Sequence, residues 1–130
     1  MEEPVWIEIE ETLIIHDRQL SEHGGSSGIR DVGLLESALA KPKNVYAYSS
    51  DSITLPRLAA SYAYGIATNH PFIDGNEPTA LVVTITFLRI NGATLTASLE
   101  ETYITFLGVA AGEITEEDLA QWLDHHSGPF

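Results

Sequence analysis

Residues 80–90 read Ala-Leu-Val-Val-Thr-Ile-Thr-Phe-Leu-Arg-Ile, an almost unbroken apolar run that any fold of this chain has to bury. Its β-branched residues favour a strand. Asn76 ahead of it has the chemistry of a helix cap, and Asn91-Gly92 behind it is a helix stop, so the flanks favour a helix. The run is too short to span a membrane, and it anchors a soluble core in either state.

The residues leading into this run carry the chemistry. His70-Pro71-Phe72-Ile73-Asp74-Gly75-Asn76 gathers an imidazole, a carboxylate, a glycine able to take unusual backbone angles and an amide within seven residues. A loop of this kind that feeds a helix leaves the first backbone N–H groups without internal partners, where they attract anions. Taken singly these residues are ordinary. A lone histidine after a helix is more often a surface or capping residue, and Asp-Gly-Asn is a common turn. Phe72 reads as an apolar anchor for the loop and Pro71 as a stiffener.

As a set, His-Pro-Phe-x-Asp-Gly-Asn resembles the signature of the Fic/Doc superfamily, and more closely its short Doc branch. The resemblance implies an all-α fold: a compact bundle of about six helices, with a buried central helix following the motif. It also implies transfer of a phosphate-containing group from a nucleotide to a protein hydroxyl. In the Fic branch this is nucleotidylation (AMPylation), and in the Doc branch it is phosphorylation of a translation factor, so the chain is expected to be an ATP-dependent kinase or nucleotidyltransferase. His70 matches the family's general base, a task suited to an imidazole near neutral pH. Asp74 matches the acid that holds Mg2+ against the phosphates of ATP. Gly75 and Asn76 match the turn whose N–H groups cradle phosphate. The branch places a target-holding flap near Tyr46 and Tyr48, which would pair backbone to backbone with its target. A chain of 130 residues leaves little room for the family's internal inhibitory helix, which implies control by a separate antitoxin protein.

The next two positions depart from the pattern. Glu77 and Pro78 stand where Lys and Arg are usual, so phosphate-binding positions 75–78 lose two cations and gain one anion. Charge-assisted contacts are worth about 1.5–3 kcal/mol each, which puts several kcal/mol of nucleotide binding at stake. Local folding is expected to survive, because Glu suits the positive end of a helix dipole and Pro is tolerated in the first turn. Two readings follow. In one, the chain is a Doc-like toxin of a toxin–antitoxin system with impaired transfer; in the other, it is a catalytically inactive Fic-fold protein-binding module.

The formal charge of −13, from 19 acidic and 6 basic residues, argues against direct nucleic-acid or anionic-membrane binding. It needs no basic partner to explain it, since solubility or a salty cytoplasm suffices. The absence of cysteine excludes a disulfide framework and thiolate zinc sites, and fits a reducing cytoplasm. An acidic Met-Glu-Glu-Pro start does not resemble a signal peptide, so a cytoplasmic single domain over residues 1–130 is expected.

Along the chain, Ile9, Leu13, His16 and Leu20 recur at helical spacing in a helix over residues 8–22, stopped by His23-Gly24-Gly25. His16 on that stripe reads as a hydrogen-bonded packing residue. The glycine- and serine-rich stretch 24–28 lacks the Lys of a P-loop and reads as a connector. Arg30 is placed either to support the site or to form a structural ion pair. Asp31 caps a second helix that buries Leu34, Leu35, Ala38 and Leu39 and ends at Lys41-Pro42-Lys43, followed by a polar loop to Thr54. A third helix runs from Thr54-Leu55-Pro56 to Asn69, its small residues admitting a close neighbour, expected to be 80–90. Ser98 opens a fifth helix with Leu99, Thr102, Tyr103, Phe106, Leu107 and Ala110 at helical spacing. Thr115 opens a sixth that buries Leu119, Trp122 and Leu123, and the adjacent His125 and His126 point apart and form no metal site.

Overall fold

The structure, a computed structural model, describes residues 1–49 and 52–130. Among them are six α-helices and one two-stranded ribbon. Helix α1 is Ile9–His23, α2 Val32–Tyr48, α3 Leu55–Asn69, α4 Asn76–Ile90, α5 Leu99–Ala110 and α6 Glu116–His125. Four start at a side-chain cap of the kind the sequence signals. Asp31, Thr54, Ser98 and Thr115 accept from the backbone N–H groups of Leu34, Arg57, Glu101 and Asp118. Glu8 and Glu11 close a capping box on α1.

Burial is deepest in α3, where Leu58, Ala59, Ala60, Tyr62, Ala63, Ile66 and Ala67 have no exposed surface. It packs against α2, α4, α5 and α6. Helix α4 lies along it, with Val83, Phe87 and Leu88 fully buried, so the strand propensity of the 80–90 run yields to tertiary packing. Gly65 serves a different neighbour from the expected one. A Cβ there would come within 3.1 Å of Ala38 Cβ, so at this position the close neighbour is α2, while α4 lies along α3 as expected. The extended N-terminal segment is pinned to this core by the Tyr62 hydroxyl, which accepts from Ile7 N–H at 2.9 Å and donates to Ile7 C=O at 3.2 Å.

Pro42 does not end α2. The helix continues through it for six more residues to Tyr48. An interior proline costs about 3 kcal/mol, because its ring replaces an N–H and crowds the preceding turn. Contacts made by continuing offset that cost. The Pro42 ring is buried, Lys43 pairs with Glu8 at 2.7 Å, and Tyr46 packs edge-on against Trp6 with ring centroids 5.8 Å apart. Residues 43–48 are therefore helix and not open loop, and positions 50 and 51 of that expected loop lie outside the described residues.

Buried Glu116, in the first turn of α6, pairs with Lys41 and with Arg57 at 2.6 Å, tying α6 to α2 and α3. The ribbon has no signal in the sequence. Strands β1 (Ala93–Leu95) and β2 (Ser127–Pro129) pair antiparallel with Thr94 opposite Gly128. Three residues per strand are too few to display alternation. No helix among the described residues is long and apolar enough to cross a membrane.

Candidate active site

The motif forms the turn between α3 and α4. Helix α3 stops because His70 adopts left-handed backbone angles, φ 49° and ψ 57°; it is the only described non-glycine residue with positive φ. Its side chain belongs to an exposed residue. Arg30 holds the turn from the loop before α2. Its Nε donates to the His70 carbonyl at 2.7 Å and Nη2 to the Asn69 carbonyl at 2.8 Å. Both contacts end on main chain, so of the two roles open to Arg30 the structure shows the supporting one.

Phe72 turns inward and is fully buried. His16, itself buried, stacks on it with ring centroids 3.7 Å apart and planes 9° apart. The same imidazole reaches the Asp74 carbonyl with Nε2 at 2.8 Å. A carbonyl only accepts, so Nε2 carries the proton in this contact. Asn76 is the second clamp. Its Oδ1 accepts from Phe72 N–H and its Nδ2 donates to Phe72 C=O, both at 2.9 Å. A side-chain amide thereby pairs with a buried peptide as a neighbouring strand would. This corrects the expected role of Asn76 as helix cap: Gly75 occupies the cap position at φ 79°, and α4 begins at Asn76, four residues ahead of the apolar run.

The connector 24–28 wraps the outer side of the turn. Ser26 N–H donates to Asp74 Oδ2 at 2.7 Å, and Ile73 N–H donates to the Gly28 carbonyl at 3.1 Å. Gly25 has to be small here, since a Cβ would stand 3.1 Å from the Asp74 Cβ. Asp74 is exposed, and its other oxygen, Oδ1, has no hydrogen-bond partner among the described residues. No cluster of three metal-ligating side chains exists among those residues. One carboxylate oxygen fits Mg2+ only when the ion arrives with its remaining ligands, as it does on a nucleotide's phosphates.

At the start of α4, Thr79 N–H is already bonded to the Gly75 carbonyl at 3.1 Å, and Pro78 has no N–H. The donors left for an anion are the backbone N–H groups of Gly75, Asn76 and Glu77. Glu77 and Pro78 also line a groove of about 410 Å³ with Leu81, with Gln19 and His23 of α1, and with Leu99, Tyr103, Phe106 and Leu107 of α5. The helix expected over the α5 residues is present, and its apolar positions divide between two faces. Leu99, Tyr103 and Leu107 are 74%, 50% and 44% exposed, and the core face is Thr102, Phe106 and Val109. The signal was present in the sequence, because α5 has more apolar positions than one core-facing stripe can hold.

The turn thus brings together His70, Phe72, Asp74, Gly75, Asn76, Glu77 and Pro78. Tyr46 and Tyr48 are not part of it. Both lie in the last turns of α2, Tyr46 against Trp6 and Tyr48 89% exposed. The backbone of both is helical, and not the extended segment that strand-like pairing with a target uses.

The chain is similar to the protein kinase doc of Escherichia phage P1, at 36% identity over 115 residues, 88% of this chain and 89% of that protein. It is also similar to the toxin Doc of Mycolicibacterium smegmatis, at 41% identity over 80 residues, 59% of each chain. Residues 6–88 match the Fic/DOC family, a span that takes in the motif turn together with His16, Arg30 and the connector that clasps it. On that match and on the phage relative, the chain belongs to the Fic/DOC family.

Proposed function

We propose that this chain is a Doc-like toxin that transfers a phosphoryl or nucleotidyl group from Mg-ATP to a Ser or Thr hydroxyl of a translation-related protein, at a rate lowered by Glu77 and Pro78, and that a separate antitoxin controls it. The observation that carries this reading is the clasped turn. It fixes the backbone at His70 and at Asp74, which flank the buried Phe72 along the chain, ahead of a helix whose first N–H groups remain available. The names of the relatives, a protein kinase and a toxin, support the class.

In this scheme His70 accepts the proton of the target hydroxyl as its oxygen bonds to phosphorus, and the bond from phosphorus to the nucleotide's leaving oxygen breaks with its electron pair. The N–H groups of Gly75, Asn76 and Glu77 face the phosphate charge. Asp74 Oδ1 would hold a Mg2+ ion carried by the nucleotide, which supplies charge neutralisation at the phosphates. Glu77 opposes the same charge, and Pro78 removes one donor.

A second reading is favoured by the groove. Three exposed apolar side chains, Leu99, Tyr103 and Leu107, flank Glu77 and Pro78, a surface suited to a protein partner. In this reading the chain is a binding module without transfer activity. Calorimetric titration with Mg-ATP and a γ-phosphate and adenylyl transfer assay separate the two, run beside the double variant Glu77→Lys, Pro78→Arg. Transfer by the unaltered chain defeats the binding-module reading. No transfer, with activity restored by the double variant and nucleotide affinity raised at least about 10-fold, defeats the active-enzyme reading.

A further inference from the structure

We propose that Arg30 is a positioning residue that sets the backbone conformation, and through it the placement, of His70; the inference rests on the reading of His70 as the base. Arg30 engages three successive carbonyls. Its guanidinium donates to Asn69 and His70, and its own backbone N–H donates to the Pro71 carbonyl at 2.7 Å. These are the carbonyls where α3 ends and the chain reverses. The middle one belongs to the residue whose left-handed angles a non-glycine side chain seldom adopts.

The side chain is launched from a fixed place. Ile29, one residue before, forms an antiparallel bridge with Phe72, and Asp31, one residue after, caps α2 and donates its N–H to the Pro71 carbonyl at 3.1 Å. From that base the planar fork of a guanidinium spans two neighbouring carbonyls, and its permanent charge suits the negative end of α3. A lysine ammonium is a single point and cannot reproduce the fork. The contacts end on main chain and leave the His70 imidazole unencumbered, so Arg30 acts through geometry and touches no reacting atom.

The test uses the full chain with Arg30→Lys and Arg30→Gln, and Arg89→Gln as a control remote in sequence. Imidazole signals of His70 and amide exchange at Phe72 and Ile73 are followed by NMR, with the core amides of Phe106 and Leu119 as internal standards. Both Arg30 variants should displace and broaden the His70 signals and should speed exchange at 72 and 73 at least 10-fold more than at the two core amides, while the control does neither. If the Gln variant does not fold, the charge-retaining Lys variant decides alone. Unchanged His70 signals, or exchange that rises equally at every amide, would overturn the assignment. In any transfer-active form of the chain, Arg30→Lys should also lower kcat at least 10-fold without changing the nucleotide KM. Absence of transfer by the unaltered chain counts against the proposed activity, whereas the NMR readouts decide the role of Arg30 without it.

Discussion

The His16 ring lies flat against Phe72 while its Nε2–H reaches the Asp74 carbonyl 2.8 Å away, so one residue of α1 grips the motif turn at two points. Truncation removes both grips and opens a cavity in a buried site. His16→Ala should therefore cost about 2–4 kcal/mol in urea unfolding. His16→Phe, which keeps the ring and loses the hydrogen bond, should cost less than the alanine variant. Equal losses would mean that the stack contributes nothing.

Asn76 pairs with both polar groups of a buried peptide, and its two smallest replacements pull in different directions. Asn76→Ala orphans the Phe72 N–H and C=O, at about 1–3 kcal/mol for each group left unsatisfied. Asn76→Asp still accepts from the N–H, but an ionised carboxylate meets the Phe72 carbonyl with no proton between them. Burial without a cation raises the folded-state pKa of the new acid, so its stability is retained at low pH and lost as pH rises through that value. Thermal melts of the Asp variant against the parent chain at pH 4 and pH 7 check this; a deficit that is no larger at pH 7 contradicts the clamp.

Gly75 combines a left-handed φ of 79° with close neighbours, since an added Cβ would stand 3.3 Å from Leu20 Cδ2 and 3.6 Å from the His16 ring. Gly92 has a similar φ of 87° and open space around it. Gly92→Ala should cost about 1–2 kcal/mol for conformation alone. Gly75→Ala should cost more, because crowding is added to conformation. Denaturation of the two single variants gives the comparison, and equal costs would show that Leu20 yields freely.

Burial pushes the Tyr62 phenol well above its ordinary range, a shift that its hydrogen bond at Ile7 partly offsets and that the nearby Glu8 and Glu11 add to. The folded chain then keeps a proton that the unfolded chain releases above about pH 10. Tyr62 thus contributes stability that is complete below that pH and lost above it, at up to about 1.4 kcal/mol per pH unit. Urea titrations from pH 8 to 11 should show this slope in the parent chain and a smaller one in Tyr62→Phe.

Caps are the most legible part of the fold, because Asp31, Thr54, Ser98 and Thr115 act on N–H groups within the next turn and need no distant partner. Pro42 misleads for the opposite reason. What carries α2 past it, Trp6 against Tyr46 and Glu8 against Lys43, lies in a segment remote in sequence. At the site, the residues that display chemistry stand together in one motif. Those that hold them in place, His16, Ser26 and Arg30, lie 40 or more positions away and reach back through main-chain or carboxylate contacts that no local pattern encodes. Asn76 stands out in the sequence as a candidate site residue, yet its partner, the Phe72 peptide, becomes apparent only once the turn is closed. The α5 stripe is split between core and groove because periodicity reports apolar positions without saying which neighbour covers them.

The hydrogen bonds supplied by His16, Arg30 and Asn76 all end on peptide atoms of the motif turn or of Asn69 just before it. A mount of that kind is indifferent to the cargo it displays. The pair at 77 and 78 can therefore change, and with it the charge at the mouth of the helix, without redesign of the frame that presents it.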